Sequence, residues 1–215
     1  MSKRALLQYL ELIQESGIDQ VFTPAPVSSA EKIKQLAALR EENLNCTKCP
    51  LAEGRIELVF GSGNPDAKAM LIGEAPGDNE NKTGLPFVGA AGQLLDKMLA
   101  AINLSRDEIY IANIVKCRPP GNRNPAPEEK IACLPILLEQ IKIIRPKVFL
   151  IMGLVAAQTL FAKDENLGWF REKRPNLMGI PTFVTYHPAA LIRNPNWKRP
   201  AWEDLQEFLK TYDSL

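Results

Sequence analysis

The sequence predicts an α/β protein of three-layer α/β/α build, with a central four-stranded parallel sheet. Two observations predict it. Short apolar runs at 69–72, 109–112, 148–152 and 182–185 read as buried strands, and each is followed along the chain by a segment of helical period. Strands that alternate with helices pair in parallel and are covered on both faces. The length of 215 residues suits one domain with a small appendage.

The chain begins with a helix expected over 3–16, which places Leu6, Leu7, Leu10 and Ile13 on one stripe. After a proline-containing loop, Ser29 is expected to cap a second helix over about 30–43. Residues 1–45 therefore form an N-terminal helical extension, and residues 46–215 form the main domain. In that domain the strand at 69–72 leads into a long glycine-rich loop, 73–89, which shows no period. A helix over 90–103 follows, with Leu94, Leu95, Met98, Leu99 and Ile102 on one face. The strand at 109–112 opens a second long loop, 113–126. Pro127, Glu128 and Glu129 then favour the first turn of a helix to about 144, which Pro135 should kink. After the strand at 148–152 comes a helix over 154–162. The chain closes with a helix over 198–212 that turns Trp202, Leu205, Phe208, Leu209 and Tyr212 inward.

Composition excludes some functions. No apolar run approaches the ~18 residues of a membrane span. The opening MSKRALLQYLELIQESG intersperses Gln8, Glu11, Gln14 and Glu15 among its leucines, so it is not an export signal. A cytoplasmic, reducing compartment follows as an expectation, and there cysteines serve as metal ligands more often than as disulfides. Residues 1–107 carry 11 basic and 14 acidic side chains and residues 108–215 carry 15 and 11, a weak basic bias compatible with DNA contact. The chain has neither a GxxxxGK[ST] phosphate loop nor a GxSxG elbow.

All four cysteines fall into two pairs, Cys46-x2-Cys49 and Cys117-x15-Cys133. Four thiolates satisfy one tetrahedral zinc or one four-iron cluster, and the spacing leaves both open. Neighbouring prolines at 50, 119, 120 and 135 stiffen the backbone that would aim the sulfurs.

Ligands of parallel sheets sit at the carboxyl ends of the strands. Three loops converge there. The first contains Gly73-Glu74-Ala75-Pro76-Gly77 and, further on, Phe87, an aromatic ring among turn residues. The second opens on Asn113, whose amide offers a donor and an acceptor together, and runs on through Arg118 and Asn122. The third is Tyr186–Pro195, which carries His187, the only histidine. In it Leu191 and Ile192 either pack inward or stand out as a wedge for a DNA groove, with Arg193 placed to meet phosphate.

Together these segments resemble the uracil-DNA glycosylase superfamily, and within it the iron–sulfur enzymes of family 4. The matching stretches are GEAPG at 73–77, KTGLPFVGAAGQLL at 82–95, NIVKCRPPGNRNP at 113–125 and HPAAL at 187–191, along with the four cysteines. The resemblance runs from about Cys46 to the C-terminus. It implies excision of uracil from single- or double-stranded DNA by a monomer, with a [4Fe–4S] cluster on Cys46, Cys49, Cys117 and Cys133. It also implies that Phe87 stacks on the flipped base and Asn113 binds its pairing edge, while His187 binds the carbonyl that becomes anionic. Glu74 and the backbone from Gly73 through Ala75 to Gly77 would line the sugar side. Leu191, Arg193, Arg118 and Asn122 would contact DNA. The classical family of this superfamily has an Asp where this chain has Ala75, so the residue that orients water is open between Glu74 and Glu80. The loop 78–84 is short and holds no histidine, so no covalent adduct is expected. Two competing readings are a DNA-binding module without chemistry, which would not need Asn113 and His187 together, and a zinc-stabilised replication module.

Overall fold

The computed structural model describes residues 27–215. The helix expected over 3–16 lies outside them. The core is a five-stranded sheet built from β1 (Ser62–Gly63), β2 (Ala69–Gly73), β3 (Ile109–Asn113), β4 (Val148–Met152) and β5 (Thr182–Thr185), in the order β1-β3-β2-β4-β5. The four strands predicted from sequence are all present and mutually parallel. The fifth, β1, is an antiparallel edge of two residues on β3, too short to leave any apolar pattern.

Every residue of β2 to β5 is buried. Their side chains alternate between two apolar layers, as the two-residue period of a strand requires. Met70, Ile72, Tyr110, Ala112, Phe149, Ile151 and Val184 point into one layer. Ala69, Leu71, Ile109, Ile111, Val148, Leu150, Met152 and Phe183 point into the other. The first layer is closed by helices α1 (Ser29–Asn43), α4 (Pro127–Ile144), α5 (Leu154–Phe161) and α6 (Leu167–Lys173). The second is closed by α3 (Ala90–Ala101), α7 (Pro188–Arg193) and α8 (Lys198–Asp213).

Local chemistry sets the helix ends. The cap of α1 is Ser28, one residue before the expected Ser29; its hydroxyl accepts from the Glu31 N–H at 3.2 Å. Helix α1 is fastened to the body by Leu36 and by Lys32, which donates to the Ile144 carbonyl at 3.1 Å and pairs with Asp66 at 2.9 Å. Helix α4 runs unbroken through Pro135 to a left-handed Arg145.

Two stretches expected as loops contain short helices. In 73–89 the segment Asp78–Thr83 forms α2, stopped by Gly84 at φ +72. In 186–193 a proline in the first turn starts α7. Between β4 and β5 the chain forms α6 as well as the expected helix after β4; no element is assigned to its residues from sequence. Among the described residues no helix is long and apolar enough to cross a membrane.

Candidate active site

The strand order reverses direction on either side of β2, so the loops after the strands part above the sheet and leave a crevice. A cavity of about 310 Å³ opens there. Glu74, Ala75 and Gly77 line it from the end of β2, Asn113 from β3, Phe87 from the loop before α3, and His187 from beyond β5. Each of the three predicted loops thus reaches the same pocket.

Asn113 is buried, and its Oδ1 has no hydrogen-bond partner among the described residues. A buried acceptor left unmet costs about 1–3 kcal/mol, so its placement in the cavity wall points to a ligand that donates there. Gly73 does not line the cavity but sits beneath it. A Cβ at that position would come within 2.5 Å of Asn113 Oδ1 and 2.6 Å of Phe87 Cζ. Only glycine lets these two groups close over the strand end. Phe87 is held at φ +54, a left-handed backbone that is costly for a bulky residue. Its ring lies 5.5 Å from that of His187.

His187 precedes α7. Its Nδ1 accepts the Ala189 N–H at 3.2 Å, so in the neutral ring the proton resides on Nε2. Burial lowers its pKa to about 4, reinforced by the positive charge of Arg193. At neutral pH the site therefore presents a neutral N–H donor.

The two carboxylates of the first loop differ. Glu80 accepts three backbone N–H groups, from Gly77 at 3.0 Å and from Val88 and Gly89 at 2.8 Å each, and so ties the loop's two ends together. Glu74 makes no hydrogen bond among the described residues. Burial raises its pKa, while the charges of Lys130 and Arg193 pull it back down.

Of the predicted DNA contacts, Arg193 and Asn122 line the cavity. Arg118 does not. It pairs with Asp78 at 2.5 Å and donates to Asn122 at 2.8 Å, bracing the second loop against α2. Leu191, a DNA contact by the resemblance and by itself open between packing inward and standing out as a wedge, is 2% exposed and packs under the sheet with Phe183 and Leu205, because α7 turns it inward. The exposed residue is Ile192, at 48%.

The four cysteines all line one apolar cavity, with Leu51, Leu58 and Ile136 around them. None is in a disulfide. Among the described residues, no three Cys, His, Asp or Glu side chains are grouped to hold a single metal ion. Four thiols lining one space are a donor set that would suit one zinc or one iron–sulfur cluster. The Lys116 N–H donates to Cys133 Sγ at 3.2 Å, and Arg55 Nη1 lies 3.7 Å from Cys117 Sγ. The Lys116 side chain is fully buried. Its ammonium donates to the Asn113 carbonyl at 3.0 Å and to Gln140 at 2.6 Å. The cysteine cavity is thereby coupled to the main chain of Asn113.

Sequence reasoning missed Arg123 and Asn124, which also line the pocket. Arg123 forks onto the Glu129 carboxylate at 2.6 and 2.8 Å. The signal was present in the basic, asparagine-rich run after Cys117, but nothing singled out these two positions.

Comparison with known proteins finds a matching family and several similar proteins. The sequence model of the family described as "Uracil DNA glycosylase superfamily" matches residues 60–206. The chain is 43% identical over 195 residues to a "Type-4 uracil-DNA glycosylase" of Sulfurisphaera tokodaii, covering 84% of each chain. It is 41% identical to the protein of that name from Pyrobaculum aerophilum, covering 80% of this chain and 92% of the relative. With the one from Saccharolobus solfataricus it shares 42% identity over 83% of this chain and 87% of the relative.

Proposed function

The chain belongs to the uracil-DNA glycosylase superfamily, and from that membership we propose that it is a hydrolytic DNA-repair enzyme that flips uracil out of DNA, cuts its N-glycosidic bond, and leaves an abasic site. The observation that carries the proposal is the pairing of an unmet acceptor, Asn113 Oδ1, with a neutral donor, His187 Nε2, in one cavity with an aromatic wall.

Uracil presents a donor, N3–H, between two carbonyl acceptors. N3–H meets Asn113 Oδ1, and the same amide's NH2 meets the adjacent carbonyl. Cytosine presents an acceptor at N3 and would leave Asn113 Oδ1 unmet. Phe87 stacks on the ring. As the bond to the sugar lengthens, its electron pair moves onto the base, and His187 Nε2–H donates to the carbonyl that becomes anionic. Water adds to the oxocarbenium-like sugar on the Glu74 side. Glu80 is engaged by three amides, which favours Glu74 as the residue that orients the water and takes its proton. Turnover leaves no covalent adduct. Extrusion of the base costs a few kcal/mol, which these contacts repay.

Cys46, Cys49, Cys117 and Cys133 would hold a [4Fe–4S] cluster, which pins the segment after Cys46 to the loop that carries Asn113. Residues 46–215 form the catalytic domain, with 1–45 as an N-terminal extension. The enzyme acts as a monomer on single- or double-stranded DNA, with Arg193 and Asn122 near the phosphates. Cluster loading is checked by brown colour and by iron and sulfide content. Cys117→Ser is expected to lose the colour and lower the melting temperature, because it removes one of four ligands.

The proposal is tested by release of free uracil from a uracil-containing oligonucleotide, followed by alkaline cleavage at the abasic site. Binding without release by a brown protein would overturn it in favour of a DNA-binding module. Gly73→Ala is a second check. Its methyl would drive Asn113 and Phe87 apart, so excision is expected to fall by roughly a hundredfold while circular dichroism keeps its native form.

A further inference from the structure

We propose that Arg106, which lines no part of the cavity, is the positioning residue that holds Phe87 in the conformation the cavity requires. The inference rests on the reading of Phe87 as the stacking wall. Phe87 stands at φ +54, and a bulky residue stays there only when its surroundings over-determine it. Two constraints converge on its carbonyl group. From one side, Gly92 of α3 packs so closely that a Cβ there would lie 1.7 Å from the Phe87 oxygen. From the other, the Arg106 guanidinium donates to two consecutive carbonyls, through Nη1 to Pro86 at 3.0 Å and through Nη2 to Phe87. The third edge of the fork is fixed by Asp96 of α3, which accepts from Nε at 2.6 Å.

The placement of Arg106 in the chain matters as much as its contacts. It opens the tight turn Arg106–Glu108 that leads directly into β3. The same strand ends at Asn113. One guanidinium thus joins the Phe87 turn, helix α3 and the strand that bears the edge-reading amide. The planar fork suits two adjacent carbonyls, and a lysine ammonium does not reproduce it. Without the fork, the Phe87 backbone is free to return to negative φ, which swings the ring off its place beside His187 and above Gly73.

The test is a double-mutant cycle on the full-length, cluster-loaded protein with Phe87→Ala, Arg106→Ala and the double variant, reading kcat/KM for uracil release and inhibition by free uracil. Each single variant is expected to lose roughly 10- to 100-fold in kcat/KM and to bind free uracil more weakly. The double variant should be no worse than Phe87→Ala within about threefold, because Arg106 acts through that ring. Losses that multiply would overturn the proposal. A Phe87→Ala enzyme of normal activity would instead overturn the stacking role itself. Millimolar guanidinium ion should partly restore Arg106→Ala and leave Phe87→Ala unchanged; equal responses would count against the fork. If Arg106→Ala fails to melt cooperatively, Arg106→Lys takes its place, and full activity in that variant would also overturn the proposal.

Discussion

With His187 replaced by alanine, uracil release is expected to fall by about a hundredfold or more, while DNA binding and folding persist. The magnitude is that of removing one preorganised donor from the position where charge develops. The donor is the neutral imidazole, since Nδ1 is engaged by the Ala189 N–H and the pKa is lowered to about 4 by burial and then by Arg193. The His187-dependent part of kcat/KM should therefore be level across neutral pH and fall only as the pH approaches about 4. An enzyme that needed the imidazolium would show the reverse, with activity rising as pH falls. Stability responds in a related way. An unfolded histidine takes up its proton near the ordinary 6.5, whereas the folded one resists until about 4. Between those values the unfolded chain binds the extra proton, so acidification through the window destabilises the fold. His187→Gln should flatten that slope in melting curves recorded from pH 7 down to about 4; an unchanged slope would show that other groups carry it.

The second large effect is expected at Asn113. Replacing it by alanine removes both hydrogen bonds to the pairing edge and should cost roughly a hundredfold or more in kcat/KM. Replacement by leucine separates function from stability. It removes a buried oxygen that has no partner and fills the space with apolar atoms, so the variant should be inactive yet melt at or above the wild-type temperature. A melting temperature well below wild type would mean that the amide holds the fold together, and the assignment of Oδ1 to a ligand would fail. Retained excision by either variant would defeat it outright.

Much of the fold and of the site was legible in the sequence, for physical reasons. Strands β2 to β4 are apolar on both faces, and short runs of that kind, bounded by turn residues, suit a buried strand better than a helix. Asn113 and His187 were found because polar residues directly after buried strands must lie at the rim of the sheet. The two misjudged loops failed for a common reason. Helices α2 and α7 have six residues each, too few to complete the two turns over which a helical period becomes visible. That failure left Leu191 open between packing inward and standing out as a wedge. Once 188–193 is a helix started by Pro188, a residue three positions along faces the sheet and its neighbour Ile192 faces outward. Gly92 and Arg106 were invisible for a different reason. Their meaning depends on a carbonyl group, and no side-chain pattern encodes a contact with the backbone.

The strand order also acts as a gauge. Asn113 ends β3 and His187 follows β5, with β2 and β4 between them. The backbones that carry the two groups proposed to read the base are thus held three strand spacings apart, roughly 14 Å. Ladder hydrogen bonds set that interval, and no lengthening of a surface loop alters it. Selection for a larger base would have to shorten a side chain, at Asn113, His187 or Phe87, because the frame cannot widen without breaking a strand pair. Such a pocket is expected to change its preference by single substitutions at those three positions and to tolerate insertions almost anywhere else on its rim.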